Sequence, residues 1–132
     1  MELVYYTADV FTGEVFGGNQ LAVFPQSEGL DGSLMQKIAR EFNFSETAFV
    51  FPPADPANDC RLRIFTPARE VPTAGHPTIG TAHILLNEGL LIPRRPGSAV
   101  FEEQVGAIQI TFSSRNGTFY DIGMSQPLPV FG

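Results

Sequence analysis

One cysteine, no tryptophan, two histidines and only eight basic residues stand in a chain of 132 amino acids, and each scarcity closes a class of answers. Cys60 has no second thiol to pair with, which excludes an internal disulfide and a cysteine-built zinc site and makes a reducing compartment, the cytoplasm, the expected setting. Fourteen acids against eight bases give a net charge of −6. The bases form no cluster larger than Arg94-Arg95, so a surface that tracks phosphates, and with it a nucleic-acid partner, is not expected. No apolar run approaches a membrane span, and Met1-Glu2-Leu3-Val4-Tyr5-Tyr6 lacks the basic region, apolar stretch and small-residue site of a secretory signal. Dinucleotide-binding, phosphate-loop and nucleophile-elbow motifs are also missing.

What remains is ample for a core. With 43% apolar and 17% charged residues the chain is too hydrophobic for disorder, and its length suits one soluble domain that buries roughly two-thirds of its unfolded surface. Strands are expected over Glu2 to Val10 and Gln20 to Phe24, separated by an insert in which Gly13, Gly17 and Gly18 allow positive φ or close backbone approach. Gly18-Asn19, just ahead of the second strand, reads as a bulge or a ligand loop.

From Asp31 to Phe42 the period becomes helical, with Leu34, Ile38 and Phe42 recurring every four residues beside Met35 and Ala39. Either Asp31 or a Ser33–Gln36 capping box can start this helix, and Asn43 can end it. Thr47 to Phe51 is a β-rich run, stopped by Pro52-Pro53, and Cys60 to Thr66 alternates so that Arg61 and Arg63 face away from Leu62 and Ile64. After an irregular link from Pro67 to Thr73, a second helix is expected from Pro77 to about Glu88, ending at Gly89. Its apolar residues, Ile79, Ala82, Ile84, Leu85 and Leu86, occupy nearly every face, and Gly80, Thr81 and Ala82 keep it slim. Such a helix is an interior one, around which a sheet can curl. Strands over Ala99 to Gln104, Gly106 to Ser113 and Thr118 to Met124 follow, the last two joined by the hairpin signal Asn116-Gly117. Gln126 to Gly132 reads as a linker.

Two places invite chemistry. Ser45-Glu46 lies between a helix and a strand; a carboxyl desolvated by Phe44 and Phe49 would gain the raised pKa that a general acid or base needs near neutrality, although a solvated turn glutamate is the simpler reading from composition alone. At Ala74-Gly75-His76-Pro77-Thr78, backbone N–H groups, the positive end of a helix dipole, an imidazole and a hydroxyl converge where a carboxylate or phosphate could bind; a histidine that merely caps a helix is the equal alternative. His76 and His83 lie seven residues apart, but without a spaced third ligand they do not make a metal site. Cys60, within an alternating strand, reads as a small hydrophobe.

Four blocks in order carry a resemblance: Asp9-Val10-Phe11-Thr12 with Gly18-Asn19-Gln20-Leu21-Ala22-Val23-Phe24; Ala39 to Val50, with Ser45-Glu46 inside it; Arg63-Ile64-Phe65-Thr66-Pro67; and Ala74-Gly75-His76-Pro77-Thr78-Ile79-Gly80-Thr81-Ala82. They resemble the PhzF family of phenazine-biosynthesis-like isomerases over residues 3–129, the first half of that family's pattern. The resemblance implies an α/β (α+β) fold similar to diaminopimelate epimerase: two related domains, each a curled, mostly antiparallel sheet wrapped around a central buried helix, with the active site in the cleft between them. It implies Glu46 as the catalytic group that moves a proton at carbon without a cofactor or a metal. Ser45, Gly75, His76, Pro77 and Thr78, with Asn19 of the glycine loop, would surround a small carboxylic acid, in the phenazine enzyme a dihydro-hydroxyanthranilate. Related racemases use a cysteine pair; no thiol stands near Gly75-His76, which is consistent with glutamate chemistry.

On this reading residues 1–125 are the family's N-terminal domain and 126–132 a truncated interdomain linker. A second copy of the chain, a homodimer, or a complementing second-domain chain would then complete the cleft. The rival expectation is a non-catalytic remnant that folds and binds a small anion or a protein partner, and a third is a fragment of a longer gene product.

Overall fold

The computed structural model describes residues 3–10 and 19–125. The glycine-rich insert around Gly13, Gly17 and Gly18 and the expected linker at 126–132 lie outside these described residues. The elements are strands β1 (Tyr6–Val10), β2 (Asn19–Phe24), β3 (Glu46–Phe51), β4 (Cys60–Phe65), β5 (Glu70–Val71), β6 (Ser98–Glu103), β7 (Gly106–Arg115) and β8 (Thr118–Met124) and helices α1 (Gly32–Phe42) and α2 (Gly75–Asn87).

The strands form one mixed sheet in the order β1-β2-β3-β4-β6-β7-β8, with β5 paired to β4. The β2–β3 and β4–β6 pairs are parallel and the others antiparallel. Each parallel pair brackets a helix in the chain, α1 between β2 and β3 and α2 between β4 and β6, because parallel neighbours need a crossover rather than a hairpin. The antiparallel β7–β8 pair turns at Asn116 (φ 53°) and Gly117 (φ 82°), the two left-handed residues of a tight primed turn whose twist matches the strands.

Strand alternation divides the core between the two faces of the sheet. Leu21 and Val23 of β2, Ala48 and Val50 of β3, Leu62, Phe101, Ile108 and Ile110 pack with Ala82, Ile84, Leu85 and Leu86 of α2. On the other face, Ala22, Phe24, Phe49 and Phe65 pack with Leu30, Met35 and Ala39 at α1, where Phe24 stacks on Phe49 at 5.1 Å and Phe65 meets Phe49 edge-on at 5.5 Å. The strands between the two helices are therefore buried on both sides, which is why Thr47–Val50 reads as a continuous buried run rather than an alternating one. Helix α2 packs against β2 and β3 and also against β1 and β8, the two ends of the sheet. The sheet thus curls around α2 as the all-round apolar composition of that helix requires.

Local details sharpen the expectations. Asp31 caps α1 by accepting from the Leu34 amide at 2.8 Å, while Gln36 instead donates to the carbonyls of Thr66 and Pro67, so the capping box at Ser33 does not form. The buried line of α1 runs through Met35 and Ala39; Leu34 remains 40% exposed, one position off the face that meets the sheet. Asn43 ends the helix in the left-handed region (φ 54°), its amide bonded back to Ala39. Helix α2 begins two residues earlier than expected, which makes Pro77 its third residue. The missing N–H still falls within the first turn, where no helical acceptor exists. At the other end Gly89 (φ 71°) donates to Leu86 and Leu90 to Leu85, a glycine-terminated stop of the Schellman kind. No helix among the described residues is long and apolar enough to cross a membrane.

Candidate functional site

Glu46 opens β3, paired with Leu21 of β2. Two residues along the same strand face stand Ala48 and Val50, which pack on α2, so alternation sets Glu46 on the face toward that helix. Its carboxyl is half-buried, and burial pushes its pKa up; the neighbouring His76 acts in the opposite direction by favouring the charged form. Ser45 precedes it at the surface.

His76 comes from the opening turn of α2. Ala74 at the N-cap has extended backbone and supplies no capping hydrogen bond, because alanine carries no acceptor. The amides of Gly75 and His76 stand in this turn without help from a capping side chain, at the positive end of the helix dipole. Gly75 has nothing within 4 Å of the position a Cβ would take, and both it and His76 are exposed. A half-buried carboxyl thus lies within electrostatic reach of an imidazole at an uncapped helix start. That set can accept an anionic group on the amides while the carboxyl exchanges a proton with it.

The sequence candidates do not all meet there. Pro77 and Thr78 are buried, and the Thr78 hydroxyl is turned inward, 2.7 Å from the Ala74 carbonyl and 2.7 Å from Oε2 of Glu103. Asn19 begins β2 opposite Val10; its side chain lies outside the described residues. His83 is exposed and contacts Asn87. Among the described residues no group of three or more histidine, cysteine, aspartate or glutamate side chains could hold a metal ion. Burial and the neighbouring Asp59, Glu103 and Glu102 raise the Cys60 thiol far above its ordinary range, which leaves it inert at neutral pH.

One group escaped the sequence reading. Glu103 is 8% exposed, accepts from the Thr73 hydroxyl at 2.8 Å and contacts Thr78. The signal was present in the alternation of β6, where Ala99, Phe101 and Glu103 all occupy the buried face. A glutamate in the third such position was the anomaly. Neither Glu46 nor His76 lines any of three concavities on the molecule; the apolar one, about 190 Å³ between Val50, Cys60, Leu85 and Leu91, adjoins the opposite end of α2.

The family profile described as phenazine biosynthesis-like protein, PhzC-PhzF, matches residues 8–132. The chain belongs to the PhzC-PhzF family. Among PhzC-PhzF relatives, an uncharacterized isomerase of Mesorhizobium japonicum is 48% identical over 88% of this chain and 38% of its own length. The trans-2,3-dihydro-3-hydroxyanthranilate isomerase of Pseudomonas aeruginosa is 37% identical over 96% of this chain and 44% of its own. A solved PhzF-family structure from Bacillus anthracis superposes with a TM-score of 0.72 at 32% identity, covering 88% of this chain and 38% of that one. A hydroxyproline epimerase from Agrobacterium vitis shares the fold, with a TM-score of 0.68 at 14% identity over 92% of this chain and 40% of that one. The PhzC-PhzF chain described here therefore spans about two-fifths of the length of the relatives it matches, and its curled sheet around a central helix is the epimerase-like fold.

Proposed function

We propose that this chain supplies one wall of a cofactor-independent isomerase that moves a proton at carbon of a small carboxylic acid. The observation that carries the reading is the electrostatic influence of His76, at the uncapped start of α2, on Glu46, a half-buried carboxyl whose pKa burial raises. The ionised Glu46 takes a proton from an acidic C–H, the bond electrons shift along the conjugated acid, and the same carboxyl returns the proton at a second atom. Nothing is oxidised or reduced. The substrate carboxylate rests on the amides of Gly75 and His76, with Ser45 and Asn19 at the margin of the site. The Pseudomonas aeruginosa relative supports trans-2,3-dihydro-3-hydroxyanthranilate as the substrate type.

A site that holds a carbanion-like transition state must exclude water, and Glu46 lines none of the three concavities described. Residues 1–125 accordingly act as the first of two related domains, joined through 126–132 or through association to a second wall, either another copy of the chain or a complementing chain. A lone, buried cysteine fits a reducing, cytoplasmic setting.

The test is solvent deuterium incorporation into trans-2,3-dihydro-3-hydroxyanthranilate, followed by NMR in a preparation that turns it over. Glu46→Gln, with unchanged circular dichroism, is expected to slow incorporation by about 10²–10⁴-fold. Undiminished incorporation in that variant would overturn the assignment of Glu46.

A further inference from the structure

The buried carboxyl of Glu103 sits beneath the opening turn of α2, and the hydrogen count there is restrictive. Thr78 Oγ1 lies 2.7 Å from Glu103 Oε2 and 2.7 Å from the Ala74 carbonyl oxygen. A threonine hydroxyl has one proton to donate, and a carbonyl oxygen has none. With Thr78 as the donor to both oxygens its single proton is shared between them; both short contacts are full two-centre hydrogen bonds when Glu103 Oε2 carries a proton of its own and donates it to Thr78, which then donates to Ala74. Thr73 Oγ1, at 2.8 Å, donates to the other carboxyl oxygen, Oε1, and so completes the arrangement expected of a neutral acid. Ionised, Glu103 would draw the Thr78 proton toward itself and leave the Ala74 carbonyl without that donor.

We propose that Glu103 is a positioning residue that acts as a neutral carboxylic acid, donating to Thr78 and through it to the Ala74 carbonyl, so that the first turn of α2 is held in shape and its positive end left free for a substrate carboxylate. The second half of this inference rests on the reading of the Gly75-His76 turn as an anion clamp; the first half does not. An ionised carboxylate beneath that turn would itself occupy the field of the helix start and compete with an incoming anion. A neutral acid engages both threonine hydroxyls without the charge. Burial of Glu103 acts in the same direction, raising its pKa as the largest influence on it. The titratable groups around it are the buried Cys60 thiol of β4, which feels its charge, His76 on the same opening turn, which interacts with Glu46 of β3, and Glu102 on its own strand, whose carboxylate is engaged by Ala54, Asp55 and Asn58.

Linkage then makes two statements. Binding of a carboxylate at the α2 start raises the pKa of Glu103, and ionisation of Glu103 weakens that binding. The experiment follows the Glu103 side-chain carboxyl carbon by NMR in the 132-residue chain across pH, with and without benzoate as the probe anion. The resonance is assigned with Glu103→Gln, and assigned through Thr73→Val if Glu103→Gln does not fold. Expected are a titration midpoint above the ordinary glutamate value of 4.5, a further upward movement on adding benzoate, and shifts of the Gly75 and His76 amides. In Thr78→Val the midpoint falls because the acceptor for the acid proton is gone, and Thr78→Ser restores it; a rise in Thr78→Val would mean that Thr78 donates to a carboxylate and overturns the neutral acid. A titration at or below 4.5 overturns the neutral acid and leaves the role of Glu46 standing. A raised midpoint that benzoate does not move, with silent Gly75 and His76 amides, overturns the coupling to an anion clamp and counts against the clamp itself.

Discussion

Thr47 and Thr81 are wholly buried, and among the described residues neither hydroxyl has a hydrogen-bond partner. A buried hydroxyl without a partner carries its desolvation cost uncompensated, and valine has the same shape without that cost. Thr47→Val and Thr81→Val are each expected to raise stability by about 1 kcal/mol in urea unfolding; a loss of that size would mean that the hydroxyl is satisfied after all. Glu103, also buried, is the contrasting case, since its oxygens meet two threonine hydroxyls. The sequence allowed Glu46 to be singled out because it stands at a junction beside aromatics. It did not distinguish a solvated glutamate from a half-buried one, since desolvation depends on what packs over the junction from other parts of the chain. The same limit hid Glu103, whose partners Thr73 and Thr78 are 25 to 30 residues away in the chain.

Helix α2 is fixed at both ends by bonds that local preference does not supply. Its last residue, Asn87, donates to the Phe119 carbonyl at 3.2 Å and accepts from the Phe119 amide at 2.9 Å, so its side-chain amide imitates a strand neighbour for β8. Asn87→Ala removes both bonds and leaves the Phe119 backbone groups unsatisfied. The expected loss is about 1–3 kcal/mol, read as a lower midpoint in thermal unfolding. The existence and type of most elements were legible from periodicity and stop signals: Asn43 and Gly89 end their helices in left-handed conformations, and Asn116-Gly117 turns its hairpin. The choice of Asp31 over Ser33 as the cap was not, because Gln36 is recruited by the carbonyls of Thr66 and Pro67. The two-residue β5 was missed too; it is held to β4 partly by the Arg63–Glu70 ion pair at 2.7 Å, and nothing so short has a period to detect.

The three shifted carboxyls give the folded chain a directional response to pH. Glu46 and Glu103 bind their protons more tightly when folded than their ordinary value of 4.5. Their contribution is thus fully present below that value and is lost as pH rises through their raised pKa values. Glu102 has the opposite sign: bonds from Asn58, then from the Asp55 and Ala54 amides, hold its pKa below 4.5. Its contribution is present above 4.5 and lost as pH falls through the lowered value. Unfolding midpoints measured across pH should show Glu103→Gln flattening the alkaline side of the profile and Glu102→Gln the acid side. A Glu103→Gln profile parallel to that of the parent chain on the alkaline side would contradict the buried acid.

Composition and pattern were enough to establish a core, the alternation of strand and helix, a helix apolar on nearly every side, and four motif blocks resembling the PhzC-PhzF family to which the chain belongs. These are local properties, set by side-chain period, by turn chemistry and by the backbone freedom of glycine and asparagine. The curl of the sheet until β1 and β8 both reach α2, the placing of Glu46 within electrostatic reach of His76, and the burial of Glu103 under the α2 start came from folding alone. Each depends on which distant segments exclude water from a group. Burial of that kind sets hydrogen bonding and pKa, and it is a property of the packed chain rather than of any stretch of it.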